Sequence, residues 1–380
     1  MSRATPSILL TVACSLTIAT QTVCAAEAIP LKAFSDGIKH WKNGQDSDGY
    51  DAYEAEQVRE IADNLLLYQR ANGGWPPNFD PLRILTAAER KQIQSRRQRI
   101  DTSFDNRATY PEVEYLALAY AHTGDTRYRD AAVRGIDFML EAQHASGGWP
   151  HSYPVEDGYK AQITIVDDVM VGVLRTLRKI AGGAPPFDFL DDERRDRVAA
   201  ALDLGNRCLL DLQVEVDGQR TGWASQYDRE TLEPTTGRSF ELPGLISAES
   251  AGVLRYLMSF KDPSPEVRQA IRAGVGWLER SKIDGLRIER VPAETVRYKF
   301  HTSSHDVVAV EDAEAPPIWA RFYEVDTNRP FMANRDGKKV YRLAEVTRER
   351  RTGYSWYGTS PAKLLDQEYP AWEAKWGGNE

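Results

Sequence analysis

The chain has 380 residues, of which 42% are hydrophobic, and its formal net charge is −8 at pH 7. A chain of this length can bury a large hydrophobic core in one or two domains, so it does not depend on disulfides for stability. The negative charge argues against a nucleic-acid partner. After the N-terminal segment only Cys208 remains, in an apolar run where we expect a buried, unreactive thiol.

The first 26 residues have the pattern of a secretory signal peptide. Arg3 precedes an apolar run, and small residues near position 26 offer a cleavage site. The apolar run is too short and too interrupted for a membrane span, and no later segment is apolar enough for one. We therefore predict that residues 1–26 are removed, that residues 27–380 form a single domain, and that the protein is secreted or periplasmic.

A Gly-Trp pair recurs three times at a fixed interval of 74 residues, and each pair follows a segment with helical periodicity. The pairs are Gly74-Trp75, Gly148-Trp149 and Gly222-Trp223. The segments before them, 53–70, 128–144 and 197–213, have apolar residues spaced three and four apart, as in amphipathic helices. The unit therefore begins with a helix and continues into a Gly-Trp loop.

A second helical pattern follows each Gly-Trp pair. These patterns cover residues 110–124, 163–183 and 246–260, and a further helix is expected at 265–281. Repeated helix hairpins bury their apolar faces against their neighbours. We predict an all-α fold, an (α/α) toroid or incomplete barrel of helix hairpins whose long loops gather at one end.

The C-terminal part departs from the helical repeat. Residues 285–291, 297–301, 306–310 and 338–346 have the composition of short strands. We therefore add a few short C-terminal strands to the predicted fold.

Acidic pairs precede two of the predicted inner helices. Asp105-Asn106 and Asp167-Asp168 stand 62 residues apart, each before an apolar helical run. Carboxylate and amide oxygens from two neighbouring helix starts can share a hard cation such as calcium. Asp and Asn also cap helix N-termini routinely, so the sequence leaves capping open as the alternative.

Arginines and aromatic residues are interleaved in the second half of the chain. Arg238 follows the third Gly-Trp pair, and Arg321, Arg329 and Arg335 stand among Trp, Phe and Tyr. A guanidinium beside aromatic rings suits the recognition of planar carboxylates. The alternative for any one of these arginines is a surface ion pair with the abundant Asp and Glu.

Aromatic rings near the turns are candidates for binding sugar. Trp149 and Tyr357 are our candidates for this role, because flat rings stack on the C–H faces of pyranoses. The regular interval of the Gly-Trp pairs favours another role, in which each Trp packs one repeat against the next. The sequence contains no G-x-S-x-G motif, no P-loop and no Cys/His metal cluster.

Seven segments, taken together and in order, resemble those of polysaccharide lyase family 10, the pectate lyases with an α/α toroid. The resemblance covers roughly residues 50–360. The segments are NGGWPPNFD, FDNRAT, GGWPHSYP, ITIVDDVMV, GRSFELPGLISAES, PPIWARFYEVDTNRPFMANRDG and RTGYSWYG.

The resemblance implies a calcium-assisted β-elimination that cleaves polygalacturonate to 4,5-unsaturated oligogalacturonates. By motif, Asp105 and Asn106 match the active-site Asp-Asn pair, and Arg238 matches the catalytic base. Asp167 matches the calcium ligand, and we include Asp105 and Asp168 in the predicted metal site. Arg321 and Arg335 match the family's arginines that bind substrate carboxylates.

The chain departs from the family pattern at two positions. Arg107 stands where a small residue is expected, and Tyr227 stands where a His is common. Both changes put the details of substrate binding in doubt rather than the core chemistry.

Two other functions remain open from the sequence alone. A toroid hydrolase would use a pair of carboxylates, which the chain has in abundance. A non-catalytic uronan-binding protein would bind the polymer without cleaving it. We expect the protein to act as a monomer, with a polygalacturonate partner and calcium as its cofactor.

Overall fold

A computed structural model describes residue 1, residues 28–45 and residues 49–377 of the chain. Of the predicted signal region 1–26, every residue except Met1 therefore lies outside the described residues. No helix in the described part is both long enough and apolar enough to cross a membrane.

Helices supply most of the frame, and the repeated ones lie where their periodicity predicts them. The α-helices of the described residues are α1 (Ser35–Lys42), α2 (Val58–Tyr68), α3 (Ala87–Gln94), α4 (Tyr110–Thr123), α5 (Thr126–Glu141), α6 (Val169–Ala181), α7 (Asp192–Asp211), α8 (Ser247–Met258), α9 (Pro265–Arg280), α10 (Arg348–Gly353), α11 (Ser360–Lys363) and α12 (Tyr369–Trp376).

Consecutive helices pair as hairpins. The pairs are α4 with α5, α6 with α7 and α8 with α9, and the first helices of these pairs, α4, α6 and α8, pack in turn against one another. Local sequence explains how the first hairpin turns. Pro111 lies in the first turn of α4, where its missing N–H costs nothing, and Gly124 ends the helix at a left-handed φ of 69°. The predicted repeat of helices is confirmed, but the pairing differs from the predicted one. Each hairpin joins the helix after one Gly-Trp pair to the helix before the next pair, so the Gly-Trp loops connect successive hairpins.

The tryptophans of the Gly-Trp pairs are core residues. Trp75, Trp149 and Trp223 have no exposed surface. Each indole Nε1 donates a 2.8 Å hydrogen bond to a backbone carbonyl of the helix before it. A buried indole is stable only when its N–H has such a partner. The packing interpretation is therefore correct, and the prediction that Trp149 stacks on substrate is wrong, because its ring is enclosed by protein.

A fourth tryptophan completes the series. Trp319 is buried, and its Nε1 donates to the carbonyl of Leu278, in α9, at 2.8 Å. The residue before it is Ile318 rather than glycine, so the Gly-Trp pattern in the sequence misses this copy. The hairpin of α8 and α9 thus ends in the same kind of indole contact as α2 and the two hairpins before it.

Glutamines tie each of the first three turns to a neighbouring helix. Nε2 atoms of Gln69, Gln143 and Gln213 each donate to a carbonyl in their own turn and to a second carbonyl 57–62 residues away, in α5, α7 and α9 respectively. One side chain thereby satisfies two backbone groups that would otherwise be buried without partners. Hydrogen bonds, as well as hydrophobic packing, therefore hold neighbouring repeats together.

Short sheets occupy the loops, so the prediction of an all-α fold is wrong in this respect. The strands are β1 (Ile163–Thr164), β2 (Glu215–Val216), β3 (Gln219–Arg220), β4 (Trp223–Ala224), β5 (Gln226–Tyr227), β6 (Leu245–Ile246), β7 (Leu286–Arg297), β8 (Thr302–Glu311), β9 (Trp319–Ala320), β10 (Phe322–Tyr323), β11 (Pro330–Ala333), β12 (Lys339–Val340) and β13 (Tyr357–Gly358).

An antiparallel sheet with strand order β12-β11-β10-β6-β4 joins the third and fourth Gly-Trp-type turns. β7 and β8 form a separate long hairpin. The predicted strand at 297–301 is mostly the turn of this hairpin, because the amide of Tyr298 donates to the carbonyl of His301 across it. Two-residue strands carry too little periodicity to be recognised in a sequence.

The hydrophobic core is one contiguous cluster that runs from Ile29 to Trp372. Cys208 belongs to it and is 1% exposed. Burial raises the pKa of its thiol to about 12, so the thiol is protonated and unreactive at neutral pH, as the sequence predicts.

The Gly-Trp turns give a stability prediction at Gly147. This residue has a φ of +101°, and a Cβ there would lie 2.6 Å from the carbonyl oxygen of Leu204. We expect Gly147→Ala to lower the free energy of unfolding by about 3 kcal/mol or more, because backbone strain and a clash with backbone add together. Urea unfolding followed by circular dichroism measures the change.

Gly124 provides the matched control for Gly147→Ala. Its φ of +69° is also left-handed, but a Cβ there meets nothing within 4 Å. Gly124→Ala should therefore cost only the backbone strain, about 1–2 kcal/mol. Equal losses for the two variants would show that the close packing of the turn contributes nothing.

Candidate active site

Two short turns bring the acidic pairs together at the start of α4 and α6. One turn spans Asp105–Arg107 and the other spans Val166–Asp168, and the two turns are in contact. Asn106 and Asp167 have positive φ angles of 52° and 57°. Left-handed backbone at non-glycine residues costs energy and is concentrated at functional sites. The strained turns thus mark this place as a candidate active site.

The acidic pairs do not cap the helices that follow them. No side chain makes a cap hydrogen bond at the N-terminus of α4, where Thr109 is the capping residue, or of α6, where Asp168 is. The capping interpretation of the sequence is therefore wrong. The side chains are instead available for other contacts.

Asp105 has a defined polar environment. His151 Nε2 lies 3.2 Å from Asp105 Oδ2, while His151 Nδ1 lies 3.0 Å from the hydroxyl of Ser152. The side-chain amide of Asn106 donates to Asp105 Oδ2 at 3.2 Å and to Asn78 Oδ1 at 2.8 Å. These contacts fix the direction in which the carboxylate points.

The carboxyl groups of Asp105 and Asp167 influence each other's pKa. Burial followed by the negative charge of Asp105 raises the pKa of Asp167 to about 7. Burial also disfavours the charged form of Asp105, but hydrogen bonds from His151 and Asp167 and the charges of His151 and Arg238 lower its pKa below the ordinary value. Two neighbouring carboxyl groups cannot both ionise freely. The raised pKa of Asp167 therefore favours a proton there, or a cation beside the two carboxyl groups.

Asp168 is directed away from this pair. Its Oδ1 and Oδ2 accept hydrogen bonds of 2.9 and 3.0 Å from Arg175, and Arg107 Nη2 lies 3.9 Å from Oδ2. The prediction that Asp168 belongs to the metal site therefore disagrees with the structure. A neighbour in sequence need not point the same way, because both residues of this pair have left-handed backbone.

Arg238 is held by a carboxylate fork. Its Nε and Nη2 donate to Glu241 Oε2 and Oε1 at 2.8 and 2.7 Å, and the hydroxyl of Tyr354 donates to the same Oε1 at 2.6 Å. Burial disfavours the guanidinium charge, but Glu241 more than offsets this and raises the pKa of Arg238 above its ordinary value. The fork thus fixes the side chain and keeps it cationic in this structure.

Arg321 lies beside the same group of residues. Its Nη2 is 3.2 Å from Glu249 Oε1, and its guanidinium carbon is 4.5 Å from the ring centroid of Tyr354. The positive charges of Arg321 and Arg238 both act on Asp167. Both arginines therefore lie close enough to Asp167 to lower its pKa, and their roles stay predictions.

Arg335 lies at one side of this group, next to the loop that carries Arg238. Its guanidinium forms a two-pronged hydrogen bond with Glu349 at 2.9 and 3.0 Å, and the Ser239 hydroxyl donates to its carbonyl. Tyr357, the other predicted sugar-binding ring, is half-buried on β13, which pairs with Ala320 next to Arg321. Both residues therefore remain candidates for substrate contact.

Sequence reasoning missed several residues of this site. His151, Glu241, Glu249 and Tyr354 contact the predicted residues directly. All of them lie inside three segments that carry the family resemblance, GGWPHSYP, GRSFELPGLISAES and RTGYSWYG. Their place in those segments was the available signal, because none of them stands out by composition.

The donor set at the acidic pair suits calcium only in part. Asp105 and Asp167 offer the hard carboxylate oxygens that calcium prefers, and the shared burial that raises the pKa of Asp167 favours a cation there. No group of three or more His, Cys, Asp or Glu side chains converges as a metal site within the described ranges. Calcium takes six to eight ligands, so water and substrate carboxylate have to complete its shell.

A buried acid behind the site gives a pH prediction. Glu112 in α4 lies beside a small cavity lined by Asn78 and Asn106, and its Oε2 has no hydrogen-bond partner. Burial raises its pKa to about 8, so the folded protein binds a proton that the unfolded chain releases at lower pH. The free energy of unfolding should therefore fall as pH rises from 5 to 8, by up to about 4 kcal/mol.

Glu112→Gln removes this titration and should flatten the pH dependence of stability, so that the variant is more stable than the wild type at pH 8. Glu114→Gln, two residues along the same helix, is the control, since Glu114 is partly exposed and paired with Lys179. Urea midpoints at several pH values measure both. A Glu112→Gln variant with the wild-type slope would rule out a neutral, buried Glu112.

Comparisons with known proteins agree with this arrangement of residues. The family model described as pectic acid lyase matches residues 69–365. A family 10 polysaccharide lyase from Cellvibrio cellulosa is 28% identical, with a TM-score of 0.68, and the match covers 93% of this chain and 99% of that one. An alanine mutant of that lyase in complex with trigalacturonic acid matches with the same identity and TM-score over 90% and 99%. The search of curated proteins found no match.

Proposed function

Because the chain belongs to the pectic acid lyase family and is therefore a polysaccharide lyase, we propose that it cleaves polygalacturonate by calcium-assisted β-elimination. The products are 4,5-unsaturated oligogalacturonates. The observation that carries the proposal is that Arg238 and Arg321 lie near the two acidic residues Asp105 and Asp167. The trigalacturonic acid bound by the Cellvibrio cellulosa relative supports this substrate.

Each arginine has a separate role in this proposal. Arg238 takes the proton from C5 of the uronate once its Nη1 has given up a proton to solvent. Nη1 is free of hydrogen bonds among the described residues, while Nε and Nη2 are held by Glu241. Arg321 and Arg335 bind substrate carboxylates, for which a guanidinium offers two parallel donors. The electron pair of the broken C5–H bond forms the C4–C5 double bond, and the O4 leaving group takes a proton from solvent.

Asp105 and Asp167 are the residues that would hold calcium. A calcium ion held by these two residues would supply Lewis-acid chemistry at the uronate carboxylate. Asn106 and His151 orient Asp105 through their hydrogen bonds, so both act as positioning residues. This cluster of charges lets an acidic protein admit a polyanion at one place.

The family match disfavours a hydrolase, because the model that matches residues 69–365 is described as pectic acid lyase. A glycosidase needs two carboxyl groups that flank the scissile bond, whereas Asp105 and Asp167 come from two adjoining turns and lie near Arg238 and Arg321. A binding protein without activity would not need the strained backbone of the two turns.

A single assay tests the proposed function. Polygalacturonate is incubated with the protein, with and without calcium, and the ultraviolet absorbance of the unsaturated product is followed. We expect the absorbance to rise with calcium and to stop rising when a chelator is added. Reducing ends without that absorbance would identify a hydrolase, and activity that a chelator leaves unchanged would exclude calcium.

Three further parts of the proposal concern the state of the protein. We propose that residues 1–26 direct export to the periplasm or the medium, that the protein acts as a monomer, and that its helix hairpins form an incomplete α/α toroid. Few large apolar side chains are exposed in the described part, which supports a monomer. N-terminal sequencing of the exported protein and light scattering test the first two statements.

A further inference from the structure

The turn of the β7–β8 hairpin carries an exposed aromatic ring beside cations. This turn, residues 298–301, contains Tyr298, Lys299, Phe300 and His301. Phe300 is 55% exposed, and among the described residues few other large apolar side chains are as open to solvent. An isolated exposed ring needs no explanation by itself, so its neighbours decide whether it has a function.

The hairpin turn is anchored rather than loose. Arg348 donates from Nε and Nη2 to the carbonyl of His305 at 3.1 and 3.0 Å, and Arg351 binds the carboxylate of Asp306 at 2.6 and 2.9 Å. At the turn itself, His301 Nε2 lies 2.9 Å from the hydroxyl of Thr352. All three partners belong to α10, so this helix fixes the position of the turn.

The same helix leads directly into the candidate active site. Tyr354 follows α10. The guanidinium carbon of Arg321 lies 4.5 Å from the centroid of its ring, and its hydroxyl donates to Glu241, the partner of Arg238. The hairpin and the site are therefore attached to one short segment. A ring at the hairpin turn keeps a fixed position relative to the cleavage site.

Phe300 is in contact with a predicted substrate-binding arginine. The guanidinium carbon of Arg335 is 4.7 Å from the ring centroid of Phe300 and 5.3 Å from that of Phe240. Phe240 in turn belongs to the loop of Arg238. Arg335 thus contacts Phe300 on one side and Phe240 on the other, and these contacts extend the site outward to the hairpin turn.

Lys299 adds a second positive charge at Phe300. Its ammonium is 5.1 Å from the ring centroid of Phe300 and makes no ion pair within the part of the chain that the structure describes. A ring face flanked by two cations, on a chain of net charge −8, is complementary to an acidic sugar. A neutral glucan would gain nothing from the two charges.

We propose that Lys299 and Phe300 form an outer subsite that binds a galacturonate unit of the polymer beyond the unit held at the cleavage site. The inference rests on the proposed function. The C–H face of the sugar packs on the ring of Phe300, and its carboxylate pairs with Lys299. Arg335 lies between this outer subsite and Arg238, so the polymer passes the three residues in that order.

The proposal predicts an effect on binding that depends on chain length. Phe300→Ala should raise KM for polygalacturonate about fivefold to tenfold while kcat stays within about twofold, because the ring contributes contact and not chemistry. Lys299→Ala should raise KM by about twofold to fivefold. Trigalacturonate, which has fewer sugar units to place at the hairpin than the polymer, should show a smaller change, and Phe300→Trp should restore the KM for the polymer.

Two controls separate the subsite from general effects. Arg290→Ala removes one positive charge from an exposed position of the same hairpin, about 25 Å along the strand from the turn. Ile84→Ala removes an exposed large apolar side chain from outside the site. Both variants should keep the wild-type KM. A Phe300→Ala variant with unchanged KM for the polymer, or with equal shifts for polymer and trimer, would overturn the proposal.

Retardation of the protein in gels that contain polygalacturonate, run with a chelator, separates this proposal from the proposed function. If the wild type is retarded but makes no unsaturated product, and Phe300→Ala is retarded less, the lyase proposal fails and the subsite stands. If the wild type is active and the Phe300 variant is unchanged in both assays, the subsite alone fails. A wild type that is neither active nor retarded overturns both.

Discussion

We expect Arg238→Ala to lower kcat on polygalacturonate by about three orders of magnitude or more. Loss of a proton-abstracting group costs about 10²–10⁴-fold, and loss of a charged contact to the transition state adds to it. The substitution also leaves Glu241, which is 4% exposed, without its guanidinium partner. Initial rates of unsaturated product formation, together with urea unfolding, separate the catalytic loss from any loss of stability.

Glu241→Gln distinguishes the two ways in which Arg238 can act. Glu241 raises the pKa of Arg238, so an uncharged amide brings that pKa back towards its ordinary value. If Arg238 takes the C5 proton, Glu241→Gln keeps kcat within about tenfold and shifts the rising limb of the pH–rate profile to lower pH. A loss as large as that of Arg238→Ala, with no shift in pH, would instead assign Arg238 a purely electrostatic role.

The second large effect is expected at Asp167. Asp167→Asn removes one of the two carboxylates that would hold calcium, and we expect kcat/KM to fall about 10²–10³-fold with loss of the calcium response. Without calcium, however, the variant should be more stable than the wild type above pH 7. The reason is that the folded-state pKa of about 7 makes ionisation of Asp167 beside Asp105 unfavourable.

The adjacent residue offers a matched control for this prediction. Asp168→Asn changes the same chemical group one position along the chain, but that carboxylate is paired with Arg175. It should therefore keep the calcium response and should lower stability slightly rather than raise it. Calcium titrations by calorimetry and unfolding curves in chelator measure the two variants. Equal calcium affinity in Asp167→Asn and the wild type would remove Asp167 from the metal site.

The helical frame was predictable because its signal is local and repeated. Apolar residues three and four apart identified the helices from α2 to α9 that form the repeat, and their bounds differ from the predicted ones by a few residues. α6 is the exception at its start, since residues 163–168 form a short strand and a strained turn before the helix begins. Most of the small strands escaped prediction because two residues carry too little periodicity to be recognised.

The tryptophans show where local pattern stops being informative. A Trp after glycine is compatible both with sugar stacking and with packing, and the sequence alone favoured packing only through the interval. Burial of Trp149 and its hydrogen bond to Met139 depend on the helix that lies across it. The fourth copy, Trp319, lacks the glycine and was found only through its equivalent contact.

The site residues divide in the same way. Asp105, Asp167, Arg238, Arg321 and Arg335 were identified from their segments, and the structure brings them to one place. The sequence could not tell that Asp168 pairs with Arg175, because the direction of a side chain depends on the left-handed backbone of that turn. Nor could it pair Arg238 with Glu241, since many acidic residues were available.

By itself, the sequence determined the helical repeat, the family resemblance and the types of residue at the site, because these depend on spacing and identity along the chain. Only the tertiary structure decided that Asp167 binds its proton more tightly than Asp105, that Arg238 is held as a cation, and that the ring of Phe300 is exposed. Each of those properties depends on burial and on charges a few ångströms away, and such neighbours come from distant parts of the chain.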